Sequence, residues 1–182
     1  PFAAIPQGKM DLRRVKVVLR DHYEGTDFYQ HQSGDNPHTG SLGTICNETT
    51  QTSFVAELRD NMPRDIGLVY WVTLGPPCTA IYLPFHFGIN SFPEAYMTAI
   101  ESPTISVWNE EAAPRAEDNP RKAYWAFWKF RHRVMADYPN LALATNGSFL
   151  SLEADAEALQ APTEEMALKT YKINLSLSRE IL

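Results

Sequence analysis

An α+β fold, with antiparallel sheets layered against helices, is the class this sequence predicts, and three observations predict it. Between residues 42 and 90 lie three or four runs rich in Thr, Val, Ile, Tyr, Phe and Trp, broken by turn signals at Asn61-Met-Pro-Arg-Asp and Gly75-Pro-Pro. These runs are consecutive and closely connected, which favours antiparallel hairpins over crossovers. Helical periodicity precedes them and returns after them. With 182 residues the chain is long enough to bury one core, so a single domain over 1–182 is expected.

The first ten residues read as an extended lead-in. A helix is predicted over 11–25, where Leu12, Val15, Leu19 and Tyr23 recur at helical spacing with Val18 beside them. Arg13, Arg14, Lys16 and Arg20 fill its other face, Asp11 suits the N-cap and Gly25 the C-terminal cap. Residues 26–41 are polar and turn-rich, a long surface loop. The core strands follow over 42–90; Cys46 and Cys78 are expected there as buried free thiols, and Trp71 as a core residue. Ser91–Met97 leads into a short helical turn with Pro93 at its start, and residues 103–108 suit one more strand. The acidic segment Asn109–Asn119 reads as a solvated excursion.

An aromatic helix is predicted over 121–138, with Trp125, Trp128, Met135 and Tyr138 along one face and Tyr124, Phe127, Phe130 and Val134 widening it. So broad an apolar surface should be buried against something large, and Pro139 should stop the helix. Residues 151–168 are helix-prone, and a tail helix over 164–182 is cut off by the end of the chain.

A net charge of -6 and a pI near 5.3 leave no basic footprint, which argues against nucleic acid as a partner. No apolar run approaches the roughly 20 residues of a membrane helix, so no membrane partner is expected. Two cysteines are too few for a disulfide framework. The first residues show no secretory pattern and the chain does not begin with Met, so a processed chain or a piece of a longer one is expected, in the cytoplasm.

Local signals for catalysis are weak. His31 and His38 share the polar loop with Asp35, but no Cys or Glu stands at an established ligand spacing, so neither a metal nor another cofactor is expected. Asp21, His22 and Glu24 form an acid–imidazole–acid group at a helix end, where capping and local hydrogen bonds are the default role. His86, in an apolar strand end, reads as structural. Ser53 lacks a nucleophile elbow. Sequons at Asn47, Asn146 and Asn174 have no supporting signal of secretion.

Four segments carry a resemblance: Val-Leu-Arg-Asp-His-Tyr-Glu-Gly-Thr (18–26), Thr-Ile-Cys-Asn through Glu-Leu-Arg (44–59), Gly-Leu-Val-Tyr-Trp-Val-Thr-Leu-Gly-Pro-Pro (67–77) and Tyr-Leu-Pro-Phe-His-Phe-Gly-Ile (82–89). Over roughly residues 10–140 the chain resembles the C-terminal part of the dipeptidase/secernin family of cysteine peptidases. The resemblance implies an N-terminal nucleophile hydrolase of αββα sandwich form that splits short peptides. In such enzymes an N-terminal cysteine attacks the scissile carbonyl while its own α-amine acts as base. This chain starts with Pro1 and has no cysteine before Cys46, so the nucleophile is expected upstream of Pro1 and the chain alone should be inactive.

The share of the site expected here lies in a strand at Thr44–Asn47: Asn47, with Thr44 behind it, would orient the substrate or the oxyanion. The simpler role for Asn47 is to cap a turn. The expected partners are a short peptide substrate and the missing N-terminal segment of the same protein, with self-association through exposed sheet edges and apolar faces as a further possibility. A non-catalytic binding domain on the same fold is the alternative. A self-contained thiol enzyme would need Cys46 or Cys78 within reach of His22 or His86.

Overall fold

A computed structural model describes residue 6 and residues 8–30, 35–40, 43–97 and 121–180. The strand expected at 103–108, the excursion at 109–119 and His31 lie outside the described residues. Helix α1 (Leu12–Leu19) leads to strand β1 (Thr52–Leu58), a single turn α2 (Arg64–Gly67), strands β2 (Leu68–Leu74) and β3 (Leu83–His86), and helices α3 (Ala123–Ala136) and α4 (Tyr138–Glu180). Helices and an antiparallel sheet together make the α+β class. Among the described residues the sheet has three strands in the order β1-β2-β3. Both pairings are antiparallel, with Val55 opposite Trp71 and Tyr70 opposite Phe85.

Asp11 caps α1, its carboxylate accepting from the Arg14 amide at 2.8 Å. The helix stops at Leu19, short of the expected residue 25. Past it the Asp21 carboxylate takes the Tyr23 amide and the Glu24 carboxylate takes the His22 amide, local bonds that replace the helical ladder. Tyr23 and Gly25 both have positive φ, 70° and 76°, a conformation that glycine adopts without strain at Gly25.

The core strands occupy less of 42–90 than the composition predicts. Thr44–Asn47 is irregular, with bends at Ile45 and Cys46, and Cys78 sits in a 3-10 turn (Pro77–Thr79), so neither cysteine lies in a strand. Pro76 and Pro77 at the start of that turn explain the second difference, since Pro cannot donate to a ladder. Gly88 passes so close to α2 that an added Cβ would fall 2.4 Å from Cβ of Asp65, and its amide bonds the Asp65 carbonyl at 3.0 Å.

One face of the sheet carries the core. Val69, Trp71 and Tyr82 are fully buried there, with Leu12, Leu19, Val55 and Ala156 packed around them. Helix α4 closes this face through charged side chains. Glu153 pairs with Arg20 and accepts the Tyr82 amide at 2.7 Å. Glu164 takes a forked bond from Arg59 at 2.6 and 2.9 Å, and Glu157 meets Lys16 at 2.9 Å. Lys16, expected in solvent, is 1% exposed and lies 3.8 Å over the Trp71 ring.

Helix α3 ends at Ala136, before Pro139, which instead occupies the first turn of α4, where its missing amide costs nothing. The two helices expected in the tail are one 43-residue helix that contains Pro162. The aromatic helix is only partly covered, leaving Tyr124 and Trp128 exposed, although Phe130 meets Phe149 of α4 edge-on. Among the described residues no helix is long and apolar enough to cross a membrane.

Candidate functional site

Four chemically competent side chains meet where the connections around the sheet converge. His22 follows α1, His38 lies in the long loop, Cys46 precedes β1 and Cys78 occupies the 3-10 turn between β2 and β3. One ligand atom from each lies within 4.8 Å of all the others. The His22 and His38 Nε2 atoms are 3.0 Å apart, and His38 Nε2 is 3.8 Å from Cys46 Sγ and 3.6 Å from Cys78 Sγ.

Local chemistry holds each part in place. The Cys46 amide bonds the Asp21 carbonyl at 3.0 Å, tying the first cysteine-bearing segment to the residue before His22. The Asn36 side chain accepts the His38 amide at 3.0 Å, an Asx turn that sets the loop. Arg20 donates to the Pro77 carbonyl at 2.8 Å and the Ala80 carbonyl at 3.2 Å, clamping the turn on both sides of Cys78. His22 Nδ1 sits 2.8 Å from the Glu24 carboxylate. That carboxylate accepts only, so Nδ1 carries the proton and a neutral His22 presents a lone pair on Nε2 to the cluster.

The electrostatics follow from burial and mutual contact. Both thiols are free and buried. A hydrogen bond from Cys78, reinforced against burial by His22 and His38, brings the Cys46 thiol down to about 3. Cys78 moves the other way, pushed far up by its bond to Cys46 and by burial. Burial opposes a charged His22, but hydrogen bonds and charge from Cys46 and Glu24 outweigh it and raise its pKa. Nδ1 of His38 is buried without a hydrogen-bond partner.

Sequence spacing did not reveal this group. His38 is 16 positions from His22, 8 from Cys46 and 40 from Cys78, and no motif spans those gaps. Of the histidines weighed for a metal, His38 enters the cluster in company with His22 and the cysteines. Thr44 and Asn47 flank Cys46. The Thr44 hydroxyl donates to the Cys46 carbonyl, and the Asn47 side-chain carbonyl accepts from the Thr49 amide and hydroxyl, both at 2.9 Å. Asn47 therefore does close a turn. His86 donates from Nδ1 to the Ile66 carbonyl at 2.9 Å, a structural bond. Ser53 is spent on the Tyr82 hydroxyl, 2.8 Å away.

The model of Peptidase family C69 matches residues 1–144. A probable dipeptidase of Latilactobacillus sakei is 24% identical over 170 residues, 92% of this chain and 36% of the relative. Probable dipeptidase B of Lactococcus lactis is 23% identical over 181 residues, 97% of this chain and 38% of the relative. A probable dipeptidase of Salmonella dublin is 32% identical over 92 residues, 50% of this chain and 21% of the relative. The chain thus spans between about a fifth and two fifths of the length of these curated relatives. No solved structure matches it. The two most specific pieces of the sequence pattern, the turn with Gly25 and the close approach at Gly88, fall within the matched span, and on that match the chain belongs to Peptidase family C69.

Proposed function

We propose that the chain is the C-terminal portion of a cysteine dipeptidase that hydrolyses short peptides, its nucleophilic thiol supplied by part of the protein outside residues 1–182. What carries this reading is the match to dipeptidases along nearly the whole of this chain but under two fifths of theirs. The fates of Cys46 and Cys78 support it. Their thiols face His22, His38 and each other, and Cys46, at 0% exposure, is closed to a peptide carbonyl. A thiol enzyme built on Cys46 and His22 has the base in reach but no access for substrate.

In the proposed reaction the N-terminal cysteine thiol attacks the scissile carbonyl and its α-amine takes the thiol proton. The tetrahedral oxyanion then collapses, the α-ammonium returns that proton to the departing amine, and an acyl-thioester is left for water to hydrolyse. Asn47 is assigned to orient the substrate or the oxyanion, with Thr44 behind it. The Thr49 bonds that hold its side-chain carbonyl would also fix its amide group. Asn47→Ala should lower kcat about a hundredfold if the amide is an oxyanion donor.

The fold proposed for the full protein is the αββα sandwich. Phe54, Leu58 and Tyr70 project from the sheet face opposite Trp71 and are exposed, and Phe54 stacks on Tyr70 at 5.0 Å. An apolar face of this kind would be covered by the second sheet of a sandwich, contributed by the rest of the protein.

The test is iodoacetamide labelling of the full-length protein with peptide mapping and a parallel dipeptide-cleavage assay. Activity should disappear as label appears on a cysteine outside residues 1–182. Inactivation that tracks Cys46 or Cys78 overturns the mechanism. An unlabelled, inactive protein would make the chain part of a non-catalytic binding protein.

A further inference from the structure

We propose that His22, His38, Cys46 and Cys78 bind one zinc ion tetrahedrally, through both Nε2 atoms and both sulfurs, as a closed structural site. The inference does not depend on the dipeptidase reading.

Distances are the first argument. Zinc bonds of about 2.3 Å to sulfur and about 2.0 Å to nitrogen place tetrahedral ligands roughly 3.3 Å apart for N and N, and roughly 3.5 Å for N and S. The observed separations are 3.0 Å between the imidazoles and 3.6 and 3.8 Å from imidazole to sulfur. Small adjustments admit the ion at the common centre. Two imidazoles and two thiols also form the donor set, S2N2, that tetrahedral zinc takes.

Charge is the second. Four lone-pair donors pointing at one buried spot are mutually repulsive unless protons or a cation stand between them. Two thiolates, two neutral imidazoles and Zn(II) sum to zero, a charge state that burial tolerates. His22, Cys46 and Cys78 are all buried, and the four ligands leave no open position, so the ion would be structural.

The support around the ligands is the third. Glu24 on Nδ1 of His22 is the carboxylate–histidine arrangement that fixes ring orientation and raises the basicity of the metal-facing nitrogen. Tyr23, next to His22, has φ 70°, a conformation that persists in a non-glycine residue only where the surroundings enforce it. The four ligands join the end of α1, the long loop, the entry to β1 and the turn before β3. An ion here would stitch together irregular connections that carry few ladder bonds of their own.

The test uses the full-length protein, purified without a histidine tag and desalted into metal-free buffer. Elemental analysis should find about one zinc per chain. Replacement by Co(II) should give intense tetrahedral d–d bands together with thiolate-to-cobalt charge transfer. Cys46→Ser and His38→Ala should abolish retention of the ion, while Glu24→Gln should bind it about tenfold to a hundredfold more weakly with the same ligand bands. If the cysteine variants fail to fold, the cobalt spectrum of the unaltered protein decides. A spectrum without thiolate charge transfer, a protein with free thiols and no retained metal, or an intact mass two hydrogens lighter from a Cys46–Cys78 disulfide each overturns the proposal.

Discussion

The two faces of the sheet are made of alternate residues of the same strands, yet they meet opposite fates. Inward from β2 point Val69, Trp71 and Thr73, all buried; outward points Tyr70, 45% exposed although it adjoins Trp71 in sequence. On β1 the outward residues include Phe54 and Leu58, as apolar as anything inside. Hydrophobicity alone therefore does not decide burial here. What decides it is the partner. Helices α1 and α4 bring Lys16, Arg20, Glu153 and Glu157 to the inner face, where they pair with one another over the aromatic rings. On the outer face Phe54, Leu58 and Tyr70 stay exposed.

Substitutions in the full-length protein test the contrast between the two faces. The largest effect should come from Trp71→Ala, which removes the centre of the inner face and should cost about 3–5 kcal/mol in denaturant unfolding. A loss below about 1 kcal/mol would mean the inner face is not the core. Next, Glu153→Ala strands Arg20 and the Tyr82 amide, and should cost about 3 kcal/mol. Pairing it with Arg20→Met should recover part of that loss, and a double mutant no better than the single one would show that the pair is not coupled.

Phe54→Ala tests the outer face. If a second sheet covers it, the loss should be about 2 kcal/mol; a change within about 0.5 kcal/mol would mean the face stays in water. The smallest effect is expected at Glu157→Gln. Its carboxylate is 42% exposed, so the bond to Lys16 should be worth about 0.5 kcal/mol and weaken with added salt. A salt-independent loss above about 2 kcal/mol would show that Lys16 depends on it as a buried counter-charge.

Much of the inner frame was legible because it is written in local patterns. Asp11 as the cap of α1, Pro93 before a helical turn and the β-rich runs around Trp71 follow from short-range rules. Boundaries went astray where side chains compete with the backbone, as Asp21 and Glu24 do at the end of α1. The burial of Lys16 on the polar face of α1 is not readable locally, because its partner Glu157, on the helix that covers it, is 141 positions away.

By itself, then, the sequence determined the α+β class, the helical and strand segments near the sheet and the family to which the chain belongs. Period and turn chemistry act within a few residues, and they are readable there. Long-range packing, in contrast, sets Lys16 under a helix, keeps Cys46 and Cys78 outside the strands, and brings His22, His38 and both thiols together. No periodicity encodes such a convergence, because it is produced by chain reversals at Tyr23, Asn36 and Pro76-Pro77 that bring distant residues to a single point.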